Sequence, residues 1–167
     1  MRTPVAMNAR EIQRALALRY GSPFFARRQL AVLPNVSWAF LDWEADLLVM
    51  TKTGYLTEVE IKVSLQDWKA DFEKRKWKQF QNRSPIKYFY YAAPQGLAER
   101  YSELQLPPGA GVILVPPEGS PVKLRRAEAR PVAALTFEQQ HRLLRLAAIK
   151  AWGLFHKPIK CTCGAQL

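Results

Sequence analysis

The fold is decided between residues 45 and 63, which read ADLLVMTKTGYLTEVEIKV. Two runs rich in Val, Leu and Ile flank the turn signal KTG at residues 52–54, a pattern that predicts two antiparallel strands joined as a hairpin. Alternate side chains of a strand share one face. The second strand therefore presents three charged side chains on the same side: Glu58, Glu60 and Lys62.

The flanking sequence predicts further elements by apolar periodicity and by capping signals. Helices are predicted over residues 9–20, 65–81 and 137–154. Strands are predicted over residues 36–40, 47–50, 55–63, 86–93 and 111–115, with an edge strand over 121–126. Residues 22–35 are predicted to be irregular. This order indicates an α/β or α+β domain built around one sheet with helices against it.

The composition favours a nucleic acid partner. The 167 residues include 25 Lys and Arg against 14 Asp and Glu, a net charge of +11. A surplus of this size attracts polyanions, with nucleic acid first and an anionic membrane or acidic partner second. The alternative interpretation is that a small protein is basic for no specific reason. The length of the chain predicts one domain.

The chain shows no sign of export or of a zinc centre. No apolar run is long enough to cross a bilayer, and the N-terminal residues MRTPVAMNAR lack the apolar centre of a secretory signal, so a soluble cytoplasmic protein is expected. Cys161 and Cys163 lie near His156, but a fourth zinc ligand is missing. We therefore predict a C-terminal tail with two free thiols.

A second acidic residue completes the charged strand face. Asp46 opens the first strand of the hairpin, so pairing of the two strands brings it beside Glu60 and Lys62. Two carboxylates next to a lysine suit a hard divalent cation such as Mg²⁺, and the lysine can hold a water or stabilise charge on a phosphate. The alternative is a solvated face of an antiparallel sheet, where alternating polar residues are routine.

These residues resemble the signature of the PD-(D/E)XK nuclease superfamily, and their surroundings are most similar to its MmcB-like DNA repair family. The resemblance covers residues 45–95 closely, and the first helix and residues 111–115 more loosely. Its motifs are Ala45-Asp46-Leu47, Val59-Glu60-Ile61-Lys62, Ser64, Asp67-Trp68, Asp71, Lys76-Trp77 and Tyr88-Phe89-Tyr90-Tyr91-Ala92-Ala93-Pro94.

The resemblance implies an α/β fold with a restriction-endonuclease-like core, a central mixed β-sheet flanked by α-helices in the order αβββαβ. That domain would span residues 1–130. Residues 131–167 would form a C-terminal helix packed on the same domain and a short tail.

The resemblance also implies a site and a reaction. Asp46, Glu60 and Lys62 would be the catalytic residues of a Mg²⁺-dependent deoxyribonuclease, with Mn²⁺ as an alternative cation. Asp46 and Glu60 would bind the metal through carboxylates, with the Ile61 carbonyl as a further ligand. Lys62 would position or activate the water that attacks the phosphodiester.

Other acidic residues are weaker candidates for the same site. Glu11 could reach the metal from the first helix, although the role of capping partner to Asn8 is favoured for it. Glu44 either adds a ligand for a second metal or is exposed. Glu58 is expected to be peripheral, because it lies farther from Asp46 in the predicted pairing.

A basic run follows the predicted site by one helix. It could track a phosphate backbone, whereas the alternative is a solvated helix face, and Trp77 within it is expected to pack rather than to stack on a base. The residues assigned to nucleic acid binding are Lys74, Arg75, Lys76, Lys78 and Arg83.

The leading hypothesis is thus a metal-dependent nuclease that hydrolyses DNA in repair, restriction or phage DNA processing. A non-catalytic nucleic-acid-binding module with the same fold is the alternative, and a basic structural or assembly protein is a third. One such site cuts one strand, so cleavage of both strands requires two copies of the chain, and a homo-oligomer is compatible with the sequence.

Overall fold

The structure is a computed structural model that describes residues 7–21, 29–37, 41, 43–71 and 84–155. Its helices are α1 Ala9–Gly21, α2 Leu65–Asp71, α3 Gln95–Ala98 and α4 Phe137–Phe155, with one 3-10 turn at Tyr101–Glu103. Its strands are β1 Gln29–Val36, β2 Ala45–Thr51, β3 Leu56–Ile61, β4 Ile86–Pro94, β5 Gly111–Val115 and β6 Val122–Arg125.

The six strands form one sheet in the order β1-β2-β3-β4-β5-β6. The β1–β2, β2–β3 and β5–β6 pairs are antiparallel, whereas β4 pairs in parallel with both β3 and β5. The chain crosses from β3 to the parallel strand β4 by way of α2, as a parallel pair requires a crossover connection. The predicted α/β fold with a central mixed sheet and flanking helices is confirmed, and it is consistent with a restriction-endonuclease-like core.

The hairpin at the centre of the prediction forms as expected. The turn is closed by the Thr51 amide, which donates to the Tyr55 carbonyl over 2.9 Å. Gly54 has a φ of 78°, a left-handed conformation that glycine adopts without steric cost. The turn also contacts the C-terminal part of the chain, because the Leu135 amide donates to the Gly54 carbonyl over 2.9 Å.

The prediction was wrong about the first strand. Residues 29–35 are not irregular, since β1 runs from Gln29 to Val36 and residue 37 is already outside it. In the sequence pattern Pro34 indicates a break, but β1 lies at the edge of the described sheet, where a strand tolerates the missing amide proton of proline. Residues 38–40 of the strand predicted over 36–40 lie outside the described residues.

Each face of the sheet carries its own apolar cluster. The α1-side core joins α1 to the sheet through Ile12, Leu16, Leu47, Val49, Val59, Ile61, Tyr90, Ala92, Ile113 and Val115. The α2-side core joins α2 and α4 to the other face, and its buried members include Leu48, Met50, Leu56, Trp68, Phe89, Tyr91, Val112, Leu114, Leu143 and Leu146.

The helix starts follow the predicted caps. Ser64 accepts a 3.1 Å hydrogen bond from the Asp67 amide at the start of α2, and Thr136 caps α4 in the same way. The predicted continuation of α2 over residues 72–81 lies outside the described residues. No helix in the described part of the chain has the length and hydropathy needed to span a membrane.

Candidate functional site

Asp46 is held against the end of β3 by a backbone hydrogen bond. The Ile61 amide donates to Asp46 Oδ2 over 2.7 Å, although fifteen positions separate the two residues. The hairpin register accounts for this proximity, because Leu47 pairs with Val59 and the next position back along β2 reaches Glu60. The two separated parts of the predicted signature therefore meet.

The backbone of Asp46 is anchored on its other side by α1. Gln13 Nε2 donates to the Asp46 carbonyl over 2.7 Å and to Asn35 Oδ1 over 2.9 Å. Asn35 has a φ of 50°, a left-handed conformation that asparagine tolerates better than most residues. The Lys150 ammonium of α4 donates to the Asn35 carbonyl over 2.6 Å. Elements from three parts of the chain thus define the start of β2.

The charged face of β3 is not solvated. Glu58 is completely buried, and the exposed fractions of Glu60 and Lys62 are 5% and 1%. These side chains point to the side of the sheet that carries the α2-side core. Burial of charged groups is costly unless they are paired and hydrogen-bonded. The solvated-face interpretation of the alternating pattern is therefore wrong for this strand.

Lys62 pairs with two buried carboxylates. Its Nζ atom lies 2.9 Å from Glu60 Oε1 and 2.9 Å from Asp71 Oδ1. The Tyr91 hydroxyl donates to Asp71 Oδ2 over 2.8 Å. We call this set of four residues, Glu60, Lys62, Asp71 and Tyr91, the Lys62 network.

The surroundings keep the Lys62 side chain charged. Burial by itself lowers the pKa of Lys62, but the negative charge of Glu60 and the hydrogen bonds to Asp71 and Glu60 outweigh it, so the pKa is raised. Lys62 is consequently an ammonium at neutral pH and a source of positive charge.

Tyr91 stays a neutral hydrogen-bond donor. Burial raises the pKa of its hydroxyl, and the nearby negative charge of Asp71 raises it further. The Tyr91 ring also packs against Trp68, with centroids 4.7 Å apart. Since Trp68 belongs to α2, this contact links the strand that carries Tyr91 to the helix that carries Asp71.

The start of α2 places Asp71 over the sheet. Ser64 caps the helix, and Trp68 donates from Nε1 to the Gln105 carbonyl over 3.3 Å. Asp71 follows Trp68 by three residues, a spacing that puts both side chains on the same helix face. Asp71 is completely buried as a result. The partly exposed Asp67 lies one turn earlier, with its Oδ1 atom 3.8 Å from Lys62 Nζ.

Glu58 belongs to a separate contact on the same face. Trp43 Nε1 donates to Glu58 Oε1 over 2.9 Å. Burial lowers the pKa of Arg130, while the negative charge of Glu58 opposes that effect, which places this guanidinium within the field of the carboxylate. Glu58 is therefore engaged by Trp43, and its peripheral place relative to Asp46 stays a prediction.

The structure gives the two weaker acidic candidates different surroundings. Glu11 is exposed and forms the capping box, in which its Oε2 atom accepts from the Asn8 amide over 2.8 Å and its amide donates to Asn8 Oδ1 over 3.0 Å. The capping role of Glu11 is confirmed. Glu44 is exposed just before β2. For both residues the predicted role as a metal ligand stays a prediction.

Several sequence predictions fall on residues outside the described part of the chain. They concern the tail residues His156, Cys161 and Cys163, and the packing of Trp77. The assignment of nucleic acid contacts also lies there, since it names Lys74, Arg75, Lys76, Lys78 and Arg83.

The donor chemistry around Asp46 fits Mg²⁺. Asp46 and Glu60 would supply carboxylate oxygens, and the Ile61 carbonyl, which follows Glu60 in the chain, is the further oxygen that the resemblance implies. Within residues 7–71 and 84–155, as far as the structure describes them, no cluster of three or more His, Cys, Asp or Glu side chains is placed to hold a metal ion. Mg²⁺ needs no such cluster, because it is commonly bound through one or two carboxylates and keeps several waters.

Sequence reasoning did not assign roles to Asp71, Tyr91 and Gln13. A signal for Asp71 was present, because an acidic residue three positions after Trp68 falls on the apolar stripe of the helix and is thereby expected to be buried. Tyr91 lies in an aromatic strand where every residue looks like core. Nothing in the local pattern around Gln13 indicates that it reaches Asp46 across the sheet.

Comparisons with known proteins agree with this description. A solved structure, the SPO1766 protein of unknown function from Silicibacter pomeroyi, is similar over 89% of each chain, with 20% identity and a TM-score of 0.60. At this identity the likeness shows the fold alone. No protein with a curated description matches the chain significantly. The family model described as DNA repair protein MmcB-like matches residues 2–155. The chain therefore belongs to the MmcB-like family of DNA repair proteins.

Proposed function

We propose that this protein is a divalent-metal-dependent deoxyribonuclease that hydrolyses phosphodiester bonds of DNA in repair. The observation that carries the proposal is the 2.7 Å bond between the Ile61 amide and Asp46 Oδ2, which brings Asp46 beside Glu60 and Lys62. The description of the family as DNA repair proteins and the net charge of +11 support a DNA substrate.

Asp46 and Glu60 would hold Mg²⁺ or Mn²⁺ through their carboxylates, together with the Ile61 carbonyl. A cation bound there supplies Lewis-acid activation of the phosphoryl group and of a bound water. The residues of the chain do the positioning. The Ile61 amide orients Asp46, and Lys62 holds Glu60 Oε1 at 2.9 Å.

Lys62 contributes charge rather than proton transfer. Its raised pKa keeps it cationic, and its burial reduces the screening of its field by water. Positive charge fixed beside the site stabilises the negative charge that develops on the phosphoryl oxygens during attack. The burial of Lys62 and its ion pair with Glu60 support charge stabilisation as its role in the proposed site.

The alternative function, a nucleic-acid-binding module without catalysis, is favoured by one observation. A pair of carboxylates that repel each other would have no purpose in a binding module, but Lys62 already neutralises charge at Glu60 through its 2.9 Å ion pair. Retention of Asp46 and Glu60 is therefore compatible with a purely structural network. The two functions must be separated by experiment.

The decisive experiment is a cleavage assay on plasmid and single-stranded DNA with Mg²⁺, Mn²⁺ or EDTA. We expect cleavage with metal, none with EDTA, and a rate at least about 100-fold lower for Asp46→Asn and Glu60→Gln, because each change removes a metal ligand. Glu118→Gln is the matched control, since this carboxylate is exposed between β5 and β6 and has no proposed role in the site. Salt-sensitive DNA binding without cleavage in any metal would identify the binding module instead.

Metal binding can be tested without DNA. We expect Mg²⁺ to raise the melting temperature of the protein, because a ligand that binds the folded state stabilises it. Asp46→Asn should reduce that rise, whereas Glu118→Gln, at an exposed carboxylate outside the proposed site, should not. An equal response to Mg²⁺ in the wild type and in Asp46→Asn would overturn the assignment of the site.

We further propose that the basic run after α2 contacts the DNA backbone. Its members are Lys74, Arg75, Lys76, Lys78 and Arg83. Replacement of Lys74 and Lys76 by Ala should weaken DNA binding and reduce its dependence on salt concentration, since fewer counterions are released. Unchanged binding and unchanged salt dependence would show that the run does not contact DNA.

A further inference from the structure

The Lys62 network contains one more carboxylate than the proposed metal site uses. Lys62 Nζ lies 2.9 Å from Glu60 Oε1 and 2.9 Å from Asp71 Oδ1. Glu60 is a proposed metal ligand, whereas Asp71 lies on α2 and is completely buried. Two equal contacts to one ammonium need an explanation, because burial of each additional charge is costly.

In the proposed site the Glu60 carboxylate interacts with two positively charged groups. Its Oε1 atom accepts from the Lys62 ammonium, and its carboxylate is also a proposed ligand of the divalent metal. If Glu60 were the only carboxylate paired with Lys62, a metal ion bound to Glu60 would neutralise the negative charge that compensates the Lys62 ammonium. A buried ammonium whose countercharge is withdrawn is strongly disfavoured. Such an arrangement would oppose metal binding.

Asp71 provides the second countercharge. Its Oδ1 atom faces Lys62, while its Oδ2 atom accepts from the Tyr91 hydroxyl over 2.8 Å. Packing of Trp68 of α2 against the Tyr91 ring holds these groups together. The carboxylate of Asp71 is thereby fixed by groups that do not belong to the metal site.

We infer that Asp71 is a positioning residue: its carboxylate holds the Lys62 ammonium in place when Glu60 binds the divalent cation. The Tyr91 hydroxyl orients Asp71 for this role. The inference rests on the proposed function. The affinity of the site for the metal then depends partly on Asp71, a residue of α2 that does not itself bind the metal.

The test is the affinity for Mn²⁺ and Mg²⁺, measured by calorimetric titration of the full chain in the absence of DNA. We expect Asp71→Asn to lower the affinity by about 10- to 100-fold, the range typical for groups that orient metal ligands. Asp67→Asn is the matched control, because it removes the same charge at a side chain that is 41% exposed and 3.8 Å from Lys62 Nζ. Its affinity should stay within about fivefold of the wild type.

A double-mutant cycle separates action through Lys62 from a general effect of negative charge. In a Lys62→Met protein no ammonium needs a countercharge, so Asp71→Asn should no longer lower the cation affinity. An equal loss of affinity from Asp71→Asn in both backgrounds would overturn the inference, because it would show that Asp71 acts only as a nearby charge.

Tyr91→Phe keeps the test valid if Asp71→Asn does not fold, as judged by circular dichroism. This change removes the hydroxyl that donates to Asp71 but keeps the ring that packs on Trp68. We expect a smaller loss of cation affinity in the same direction. Unchanged affinity in every Asp71 and Tyr91 variant that folds would overturn the inference and leave the proposed function intact. A wild-type protein that binds neither cation would overturn both.

Discussion

The two faces of the central sheet carry cores of different chemistry, although both are packed against helices. On the α1 side, Val59 and Ile61 of β3 contact apolar side chains such as Ile12 and Leu16. On the α2 side, Glu58 and Glu60 of β3, with Lys62 directly after the strand, bury charge within the apolar cluster. One strand therefore supplies an apolar core on one side and a charged network on the other.

The difference shows that alternation of polarity in a strand does not imply alternation of exposure. A sheet face covered by a helix becomes buried whatever side chains it carries. Charged residues on such a face persist only if partners compensate them. In this protein the compensation of Lys62 comes from Asp71 on the covering helix as well as from Glu60 on its own strand. Retention of buried charge at this cost is a common sign of a functional site.

The largest expected loss of stability follows from truncating a side chain in the α1-side core. Leu16 is completely buried in the α1-side core, so Leu16→Ala should lower the free energy of unfolding by about 2–5 kcal/mol, through lost burial and the cavity left behind. Urea denaturation measures this loss. Cation affinity should remain unchanged in the folded protein, since Leu16 lies on the opposite face from the Lys62 network. Loss of cation binding in a fully folded Leu16→Ala protein would break the distinction between the faces.

A somewhat smaller effect is expected on the charged side. Asp71→Ala should lower the free energy of unfolding by about 3 kcal/mol, near the lower end for a broken buried ion pair because Glu60 still compensates part of the Lys62 charge. Asp67→Ala is the control, and it should cost less than about 1 kcal/mol because this contact is longer and more exposed. Equal losses in the two variants, again from urea denaturation, would contradict the special place of Asp71.

The smallest expected effect is the loss of an N-terminal helix cap, compared between α1 and α2, which cover opposite faces of the sheet. Ser64→Ala and Asn8→Ala should each lower the free energy of unfolding by about 1 kcal/mol, because each removes a side-chain cap. Only Ser64→Ala should also weaken cation binding slightly, since α2 carries Asp71. The measurements are thermal denaturation and cation titration of both variants. A greater loss of cation affinity in Asn8→Ala than in Ser64→Ala would reverse the assignment of the network to α2.

Much of the architecture could be predicted from local patterns. The hairpin between β2 and β3, the caps Asn8, Ser64 and Thr136, and the order of the elements all rest on contacts within a few residues, which the sequence displays directly. The first strand was misplaced because the tolerance of Pro34 depends on its position at the edge of the sheet. Edge position is a property of the whole topology, and no local pattern encodes it.

The sequence by itself determined the residue types of the site and the face of β3 on which Glu60 and Lys62 lie, because strand geometry has a period of two. Tertiary structure alone decided that this face is buried, that the Ile61 amide reaches Asp46, and that Lys62 is shared between Glu60 and Asp71. The physical reason is that burial and ion pairing depend on which elements pack together on the sheet. The spacing of residues along the chain does not determine the distances between side chains on different elements.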